Sequence, residues 1–214
     1  MIPAKFKMAP IVEDTPTVPD SLLALLEEHL PYSISLLRRL QFARSFANGT
    51  RPSAHVLLAY HPASAGAKPA QFAAGYVDMA PRPQTAMWLY SSFEKSGRPA
   101  AADGSDDELV MALLRRARRL EDQDPASRAA QGGRLAKIGS LAEPVRQRIL
   151  ARGAQVDKTD AASPGIDYEL CGKWLFRVAE LPAPKGLPDG MVWDTAREED
   201  CALVRSRTMV NRST

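Results

Sequence analysis

The sequence predicts an α/β fold of the α+β kind, with a mixed, mainly antiparallel sheet flanked by helices. Three short segments rich in Val, Tyr, Phe and Trp follow one another at residues 54–60, 71–79 and 86–91, separated by turn-forming residues. Connections this short join antiparallel strands, because a parallel pair needs a long crossover. Leucine-rich segments with helical spacing precede and follow these strands, so we expect helices to cover the sheet.

The N-terminal part of the chain predicts an edge strand and a first helix. Prolines break up residues 1–19, and within them residues 5–12 can supply the strand. Asp20 or Ser21 can cap the helix that follows, because a side-chain oxygen accepts hydrogen bonds from the free amides of a first turn. Pro31 is expected to end this helix, since proline cannot donate a backbone hydrogen bond.

A second helix is expected to begin directly after the first. Ser33 is its predicted cap, and Asn48-Gly49 would close it, because these residues tolerate the left-handed conformation of a helix end. Its apolar residues recur at helical spacing. The same spacing places three arginines on the wetter side: Arg38, Arg39 and Arg44.

The second half of the predicted domain alternates helices and strands. Ser105 and Glu108 have the spacing of a capping box, which opens a helix through about residue 120. A strand is predicted at residues 135–140, and a helix at 143–152 with Pro144 in its first turn and Gly153 just beyond its end. The apolar and aromatic residues 173–178 predict a last strand.

Proline and glycine mark a predicted domain boundary. Residues 1–180 are expected to form one domain, and residues 181–190, with three prolines and two glycines, a linker. Residues 191–195 then predict a strand, and Thr195 with Glu198 forms a second capping box that opens a helix to about residue 209. We expect residues 191–214 to be the first strand and helix of a second domain that continues beyond Thr214.

Composition is that of an ordinary globular protein and argues against several classes. The net charge of +3 on 214 residues does not by itself call for nucleic acid or an anionic membrane. No apolar run approaches the roughly 20 residues of a membrane-spanning helix, and the N-terminus lacks the apolar core of a secretory signal. Cys171 and Cys201 lack metal-site spacing and are expected to be reduced core or boundary residues. A cytoplasmic location is therefore expected.

The element order and the end of the chain carry a family resemblance. The predicted elements resemble the order of the GNAT acetyltransferase fold. That order is an edge strand, two helices, three antiparallel strands, a helix, a strand, a helix and a strand. Residues 192–204, Val-Trp-Asp-Thr-Ala-Arg-Glu-Glu-Asp-Cys-Ala-Leu-Val, resemble the first strand and helix of a further GNAT domain. Residues 200–212 are similar to fungal proteins related to the glycine N-acyltransferases, the FR47-like group, which have a degenerate N-terminal half and a catalytic C-terminal half.

This resemblance implies an acyl-CoA-dependent N-acyltransferase, with acetyl-CoA or another acyl-CoA as donor and a small-molecule amine as acceptor. GNAT enzymes stabilise the oxyanion with backbone donors of a splayed strand, and they use a general base. They hold the pyrophosphate of CoA on a loop of pattern Arg/Gln-x-x-Gly-x-Gly/Ala between the fourth strand and the next helix, where free N–H groups attract phosphate.

The corresponding loop of this chain, residues 91–105, lacks that pattern. Carboxylates that would repel phosphate crowd the start of the next helix. These are Asp103, Asp106, Asp107 and Glu108. The first domain is therefore expected to bind no cofactor, and the catalytic residues stay unassigned.

Basic residues suggest two further sites, and each has a plainer explanation. Residues 128–134, Arg-Ala-Ala-Gln-Gly-Gly-Arg, lack the glycine spacing of a phosphate loop, which favours a flexible turn. Four arginines could bind nucleic acid from one helix, but acidic residues follow closely, so a solvated face without nucleic acid is favoured. These arginines are Arg115, Arg116, Arg118 and Arg119.

The histidines and several aromatic residues also have plainer explanations than a functional site. His29, His55 and His61 lack metal-ligand spacing, so no metal site is expected, and no Ser/His/Asp signature is visible. A substrate or partner surface is possible at Trp88 and Tyr90, but aromatic residues on a central strand usually fill a core. Trp174 and Phe176 favour the same interpretation.

Two hypotheses of different class remain. The chain is either the N-terminal part of an acyl-CoA-dependent N-acyltransferase, inactive alone, or a non-catalytic domain that binds a partner or has a regulatory role. The coding sequence after Thr214 would discriminate between them. A phosphate-loop pattern about 50 to 70 residues further on would favour the enzyme, because it would hold the pyrophosphate there.

Overall fold

A five-stranded sheet forms the centre of the first of two units. The computed structural model describes residues 8–45, 51–62, 68–80, 85–96, 105–124, 136–154, 178–182, 186–192, 194–195 and 197–207. The chain divides into the units Met1–Gly172 and Lys173–Thr214. In the first unit, five strands lie side by side in chain order: β1 (Ile11–Thr15), β2 (Ala54–Tyr60), β3 (Phe72–Asp78), β4 (Thr85–Ser91) and β5 (Ala136–Gly139).

The sheet is a meander with one parallel pair at its end. Strands β1 to β4 pair antiparallel, with Leu57 opposite Gly75 and Gly75 opposite Leu89. Strand β5 pairs parallel to β4 from Thr85–Ala136 to Trp88–Gly139. Gly75 suits its central position, because a Cβ there would come within 3.2 Å of the Leu113 side chain and of the Trp88 carbonyl. The predicted mainly antiparallel sheet is confirmed.

Helices cover both faces of this sheet. They are α1 (Asp20–Glu27), α2 (Ile34–Ser45), the short α3 (Phe93–Ser96), α4 (Ser105–Gln123) and α5 (Glu143–Ala151). One apolar core lies beneath α4 and α5, and the other lies beneath α1 and α2. Met87 and Leu89 belong to the first core, while Trp88 and Tyr90 pack in the second. The prediction that these aromatic residues fill a core is therefore confirmed for Tyr90, whereas Trp88 is partly buried and packs against the edge of that core.

The N-terminal elements are present with shifted boundaries. The predicted edge strand exists, but it begins at Ile11, after Pro10, and ends at Thr15, before Pro16. Met8 to Pro10 are not in a strand, and residues 5–7 lie outside the described part. The two prolines bound the strand because neither can donate a hydrogen bond to β2.

None of the predicted capping side chains, Asp20 or Ser21 at α1 and Ser33 at α2, acts as expected. Pro19 is the N-cap residue of α1 and makes no side-chain hydrogen bond, while the Asp20 carboxylate binds Arg44 of α2. Helix α1 ends at Glu27, before Pro31. Ser33 stands directly before α2, but its hydroxyl donates to the Leu26 carbonyl at 2.5 Å. These side chains therefore join α1 to α2, and Asn48-Gly49 lies outside the described residues.

The later elements of the first unit agree closely with the sequence. Helix α4 begins at Ser105, as predicted, and continues to Gln123. Strand β5 falls inside the predicted segment 135–140. Pro144 lies in the first turn of α5, and Gly153 follows the helix with a φ of 81°, a left-handed conformation that favours glycine.

The second unit has a 3-10 turn, Val178–Glu180, and a helix, α6 (Asp200–Arg207). The strand predicted at 191–195 is wrong for its four described residues, which have no strand partner. Helix α6 begins at Asp200, later than predicted. The Asp200 carboxylate accepts a hydrogen bond from the Arg197 N–H at 2.8 Å, so the capping contact begins at Arg197 and not at Thr195. Cys201 is exposed on α6, so it is not a core residue.

Several predicted features lie outside the described residues: 173–177 of the last predicted strand, with Trp174 and Phe176, the turn 128–134, Cys171, and residues 208–209 of the last helix. The boundaries of the predicted linker stay a prediction. Among the described residues, no helix is both long and apolar enough to cross a membrane.

Candidate functional site

Strands β4 and β5 separate after the Trp88–Gly139 pair. Strand β4 continues through Ser91, whereas β5 ends at Gly139 and Ser140 turns away with a positive φ of 58°. The backbone N–H of Ser91 donates to Glu94 Oε1 of α3 at 2.9 Å. Acyl transfer needs backbone donors that are free to receive the developing oxyanion. At this end of β4, the donor of Ser91 is held by a carboxylate of the same chain.

The start of α4 is also filled by internal charges. Asp106, Asp107 and Glu108 lie in its first turn, as the sequence predicts, and Asp106 is buried. Arg148 Nη1 of α5 donates to Asp107 Oδ1 at 2.8 Å, and Arg152 Nη2 donates to Asp107 Oδ2 at 3.2 Å.

The buried Arg148 guanidinium also lies 3.8 Å from the centre of the Phe93 ring, which fixes its position over α3. The first turn of a helix attracts an anion, and here the protein supplies that anion itself. A CoA pyrophosphate would meet carboxylates at this place, so the described residues do not fit it. Asp103 and the rest of the loop at 97–104 lie outside the described residues.

A histidine and a tyrosine contact each other near the end of β4. His29 Nδ1, in the turn after α1, lies 2.8 Å from Tyr90 Oη. Burial lowers the pKa of His29, and the nearby Lys95 ammonium adds to this effect. Burial raises the pKa of Tyr90, and the charge of Glu94 raises it further. At neutral pH both groups are therefore uncharged, and the imidazole is in the form that can accept a proton.

Arg39 of α2 lies among aromatic rings, although the sequence places it on the wetter side. Its guanidinium carbon is 4.4 Å from the centre of the Tyr76 ring, 4.9 Å from that of Trp88 and 5.5 Å from that of Phe42. Its Nη2 donates to Tyr76 Oη at 2.9 Å. The predicted position on the wetter side is only partly correct, because Arg39 is half-buried where α2 packs on β3 and β4.

The environment of Arg39 does not fully compensate its charge. Its Nε is buried without a hydrogen-bond partner in the described part of the chain, where it also has no carboxylate partner. Cation–π contacts contribute about 0.5–2 kcal/mol, while a buried donor without an acceptor costs about 1–3 kcal/mol. The two effects are similar in size. The aromatic rings therefore offset the cost of the unmade hydrogen bond, but no carboxylate of the described residues neutralises the charge itself.

The predicted solvated arginine face of α4 is only partly present. Arg118 pairs with Glu121 and Asp122 on its own helix, and Arg115 and Arg119 are exposed. Arg116, in contrast, reaches across to Asp14 of β1. Asp14 lies so far from Arg116 in the sequence that the helical pattern of α4 could not reveal this contact.

The three histidines lie apart from each other in the fold. His55 Nδ1 is 2.8 Å from Asp14 Oδ1, and His61 Nδ1 is 3.1 Å from the Met8 carbonyl oxygen. Across the described ranges, no three His, Cys, Asp or Glu side chains are placed to hold a metal ion. His29 and His55 each contact one polar side chain, and His61 Nε2 also lies 4.0 Å from Glu108 Oε2.

The architecture defines the class of the protein. In the described residues, a mostly antiparallel five-stranded sheet with a parallel pair at β4–β5 and helices on both faces forms a mixed α/β domain of GNAT-like fold. The chain belongs to the family described as the acyl-CoA N-acyltransferase verG N-terminal domain, whose model matches residues 8–170. This match confirms the predicted N-terminal acyl-CoA N-acyltransferase-like domain. Neither a curated protein nor a solved structure matches the chain.

Proposed function

We propose that this domain is the non-catalytic N-terminal part of a GNAT-type enzyme that transfers an acyl group from CoA to a small-molecule amine. In this proposal the acyl-CoA is held by another part of the enzyme. The relation to the glycine N-acyltransferases suggested by residues 200–212 and a cytoplasmic location belong to the same proposal. The family supports the reaction class, and the internal contacts of the domain support its non-catalytic role.

The contact between Asp107 and Arg148 carries this proposal. It fills the helix start at which a GNAT enzyme would hold the pyrophosphate, and a carboxylate there opposes a second anion. Glu94 occupies the Ser91 N–H in the same way, at the end of β4. Two separate positions that a CoA thioester would need are thus taken by side chains of the domain.

Calorimetric titration of the chain with acetyl-CoA tests the non-catalytic role. We expect no saturable binding tighter than about 100 μM, which corresponds to roughly −5.5 kcal/mol. A known acetyl-CoA-binding acetyltransferase, titrated under the same conditions, serves as the positive control. A tighter dissociation constant for the chain would show that the domain itself holds the donor.

Steady-state kinetics of the whole enzyme test the other half of the proposal. The enzyme should release free CoA from an acyl-CoA when a small amine is supplied. Glu94→Gln should leave the KM for acyl-CoA unchanged, because the domain does not hold the donor. A clear change in this KM without a loss of thermal stability would place the donor on this domain.

A binding or regulatory role is the second candidate function. Arg39 favours it, because this half-buried guanidinium has no carboxylate partner among the described residues and donates only to the neutral Tyr76 hydroxyl there. This candidate is compatible with the first, since a non-catalytic domain can still bind a ligand.

A further inference from the structure

We propose that Arg39, Trp88 and Phe42 form a binding site for a small carboxylate ligand that carries a flat apolar group. An arginine keeps its charge at every physiological pH, so the guanidinium needs an anion or water around it. Within the described chain its hydrogen bonding is limited to the neutral Tyr76 hydroxyl. A carboxylate is the anion that a guanidinium binds best, through charge-assisted hydrogen bonds, and Arg39 is only half-buried.

The carboxylate nearest in sequence on the same face of β3 is already engaged. Asp78 follows Tyr76 by two residues, so both side chains lie on one face of the strand. Its Oδ1 accepts hydrogen bonds from Ser53 Oγ at 3.1 Å and from the Ala80 N–H at 3.0 Å, and its Oδ2 is 3.7 Å from Arg51. The Asp78 carboxylate is therefore already engaged by donors other than Arg39.

The rings around Arg39 define the rest of the ligand. Phe42 is 46% exposed and Trp88 is only partly buried, so both offer apolar surface beside the guanidinium. The Trp88 indole Nε1 lies next to Gly139, where a Cβ would approach it to 3.2 Å. A flat apolar group can stack on such rings, while a doubly charged phosphate would lose more hydration there than one guanidinium returns.

This site does not depend on the proposed function. It lies on the face of the sheet covered by α1 and α2, whereas the Asp107–Arg148 contact lies with α4 and α5. The experiment on acetyl-CoA binding and the experiment on carboxylate binding therefore have independent outcomes. Each result bears on only one of the two proposals.

Nuclear magnetic resonance of the indole protons tests the site directly. The chain has three tryptophans, and the resonance lost in Trp88→Phe identifies Trp88. Benzoate should shift this resonance saturably, with a dissociation constant tighter than about 10 mM. Neutral benzamide and inorganic phosphate should bind at least about tenfold more weakly, a difference of about 1.4 kcal/mol.

Matched variants separate the site from general charge effects. Arg39→Lys should weaken benzoate binding about tenfold, because lysine lacks the planar fork. Arg38→Lys is the control and should leave it unchanged, since Arg38 is exposed and bonds Gln41 on the same helix. Phe42→Ala, at an exposed position that should not disturb folding, should weaken benzoate more than acetate.

Several outcomes would overturn the proposal. They are a benzoate dissociation constant weaker than about 10 mM, equal binding of benzamide, and tighter binding of phosphate than of benzoate. An equal loss in Arg38→Lys and Arg39→Lys would likewise contradict it. If Arg39→Lys does not fold, Phe42→Ala decides, and unchanged benzoate binding in that variant contradicts the site.

Discussion

Arg116 on α4 donates two hydrogen bonds to one carboxylate oxygen of Asp14 on β1, at 3.0 Å and 2.6 Å. The other oxygen of Asp14 lies 2.8 Å from Nδ1 of His55 on β2. Asp14 thus joins the edge strand to a helix and to the next strand. The contact also removes one arginine from the predicted solvated face of α4.

The first prediction concerns this contact. Arg116→Ala should lower the free energy of unfolding by about 1–3 kcal/mol, because a mostly buried carboxylate loses its charged donor. Arg115→Ala, an exposed neighbour on the same helix, is the control and should change it by no more than about 0.5 kcal/mol. Urea unfolding measures both variants. Equal effects would mean that the Asp14 contact is not what stabilises the domain.

The second prediction is that α4 does not bind nucleic acid at physiological salt. Four arginines that neutralised four phosphates would give a log–log salt slope near −3.6. Arg116 and Arg118 already pair with carboxylates, so only Arg115 and Arg119 of these four remain for phosphates. Two phosphate contacts would give about half that salt slope. Filter binding with duplex and single-stranded DNA and RNA measures it. Retention with the full slope, lost on replacing all four arginines by alanine, would refute this prediction.

The third prediction concerns the start of α4. Arg148→Met should lower the free energy of unfolding by about 1–3 kcal/mol, because it removes the buried cation beside Asp106 and Asp107 and leaves Asp107 with the more exposed Arg152. Arg146→Ala on the same helix is the control. Its partner Glu143 is three residues away, and such local pairs contribute about 0.3–0.5 kcal/mol. Chemical denaturation that gave similar values for both variants would contradict a structural role of the Asp107–Arg148 contact.

The fourth prediction is a pH dependence that arises from His29. Because burial lowers the pKa of His29 below its ordinary value of 6.5, the unfolded chain binds the proton more readily. The contribution of His29 to stability is therefore complete above pH 6.5 and is lost as the pH falls through the lower folded pKa. Ring-proton titration should give a midpoint below 6.5, and His29→Gln should reduce the loss of stability at acid pH. A midpoint at or above 6.5 would disprove the burial argument.

The fifth prediction concerns α6 in the second unit. The helix has eight residues, and both Leu203 and Val204 are more than half exposed. Short helices that bury no apolar face are marginal in water. Hydrogen exchange should therefore be faster at the amides of Leu203 and Val204 than at Leu57, which is buried in β2. Equal protection would show that α6 is stabilised by packing.

The local elements of this protein were largely predictable from its sequence. Short β-rich segments with turn residues between them determine the meander, and β2 has the predicted bounds of 54–60. The helical repeat of leucine and the placement of Pro144 and Gly153 likewise predict α4 and α5. The acidic start of α4 could also be predicted, because it follows from composition within a single turn. Such features depend on residues that are close in sequence.

The tertiary structure decided which charged side chains face solvent and which are buried. Helical spacing alone placed Arg39 and Arg116 with the solvent-facing arginines, but the packing of α2 and α4 on the sheet brings one to Trp88 and the other to Asp14. The contact of His29 with Tyr90 joins residues 61 positions apart. The sequence by itself therefore determined the elements and the crowding of carboxylates at α4. Only the three-dimensional packing determined the partners of these charged side chains. Each charged group and its partner lie on different elements, and no local periodicity of the sequence encodes the distance between them.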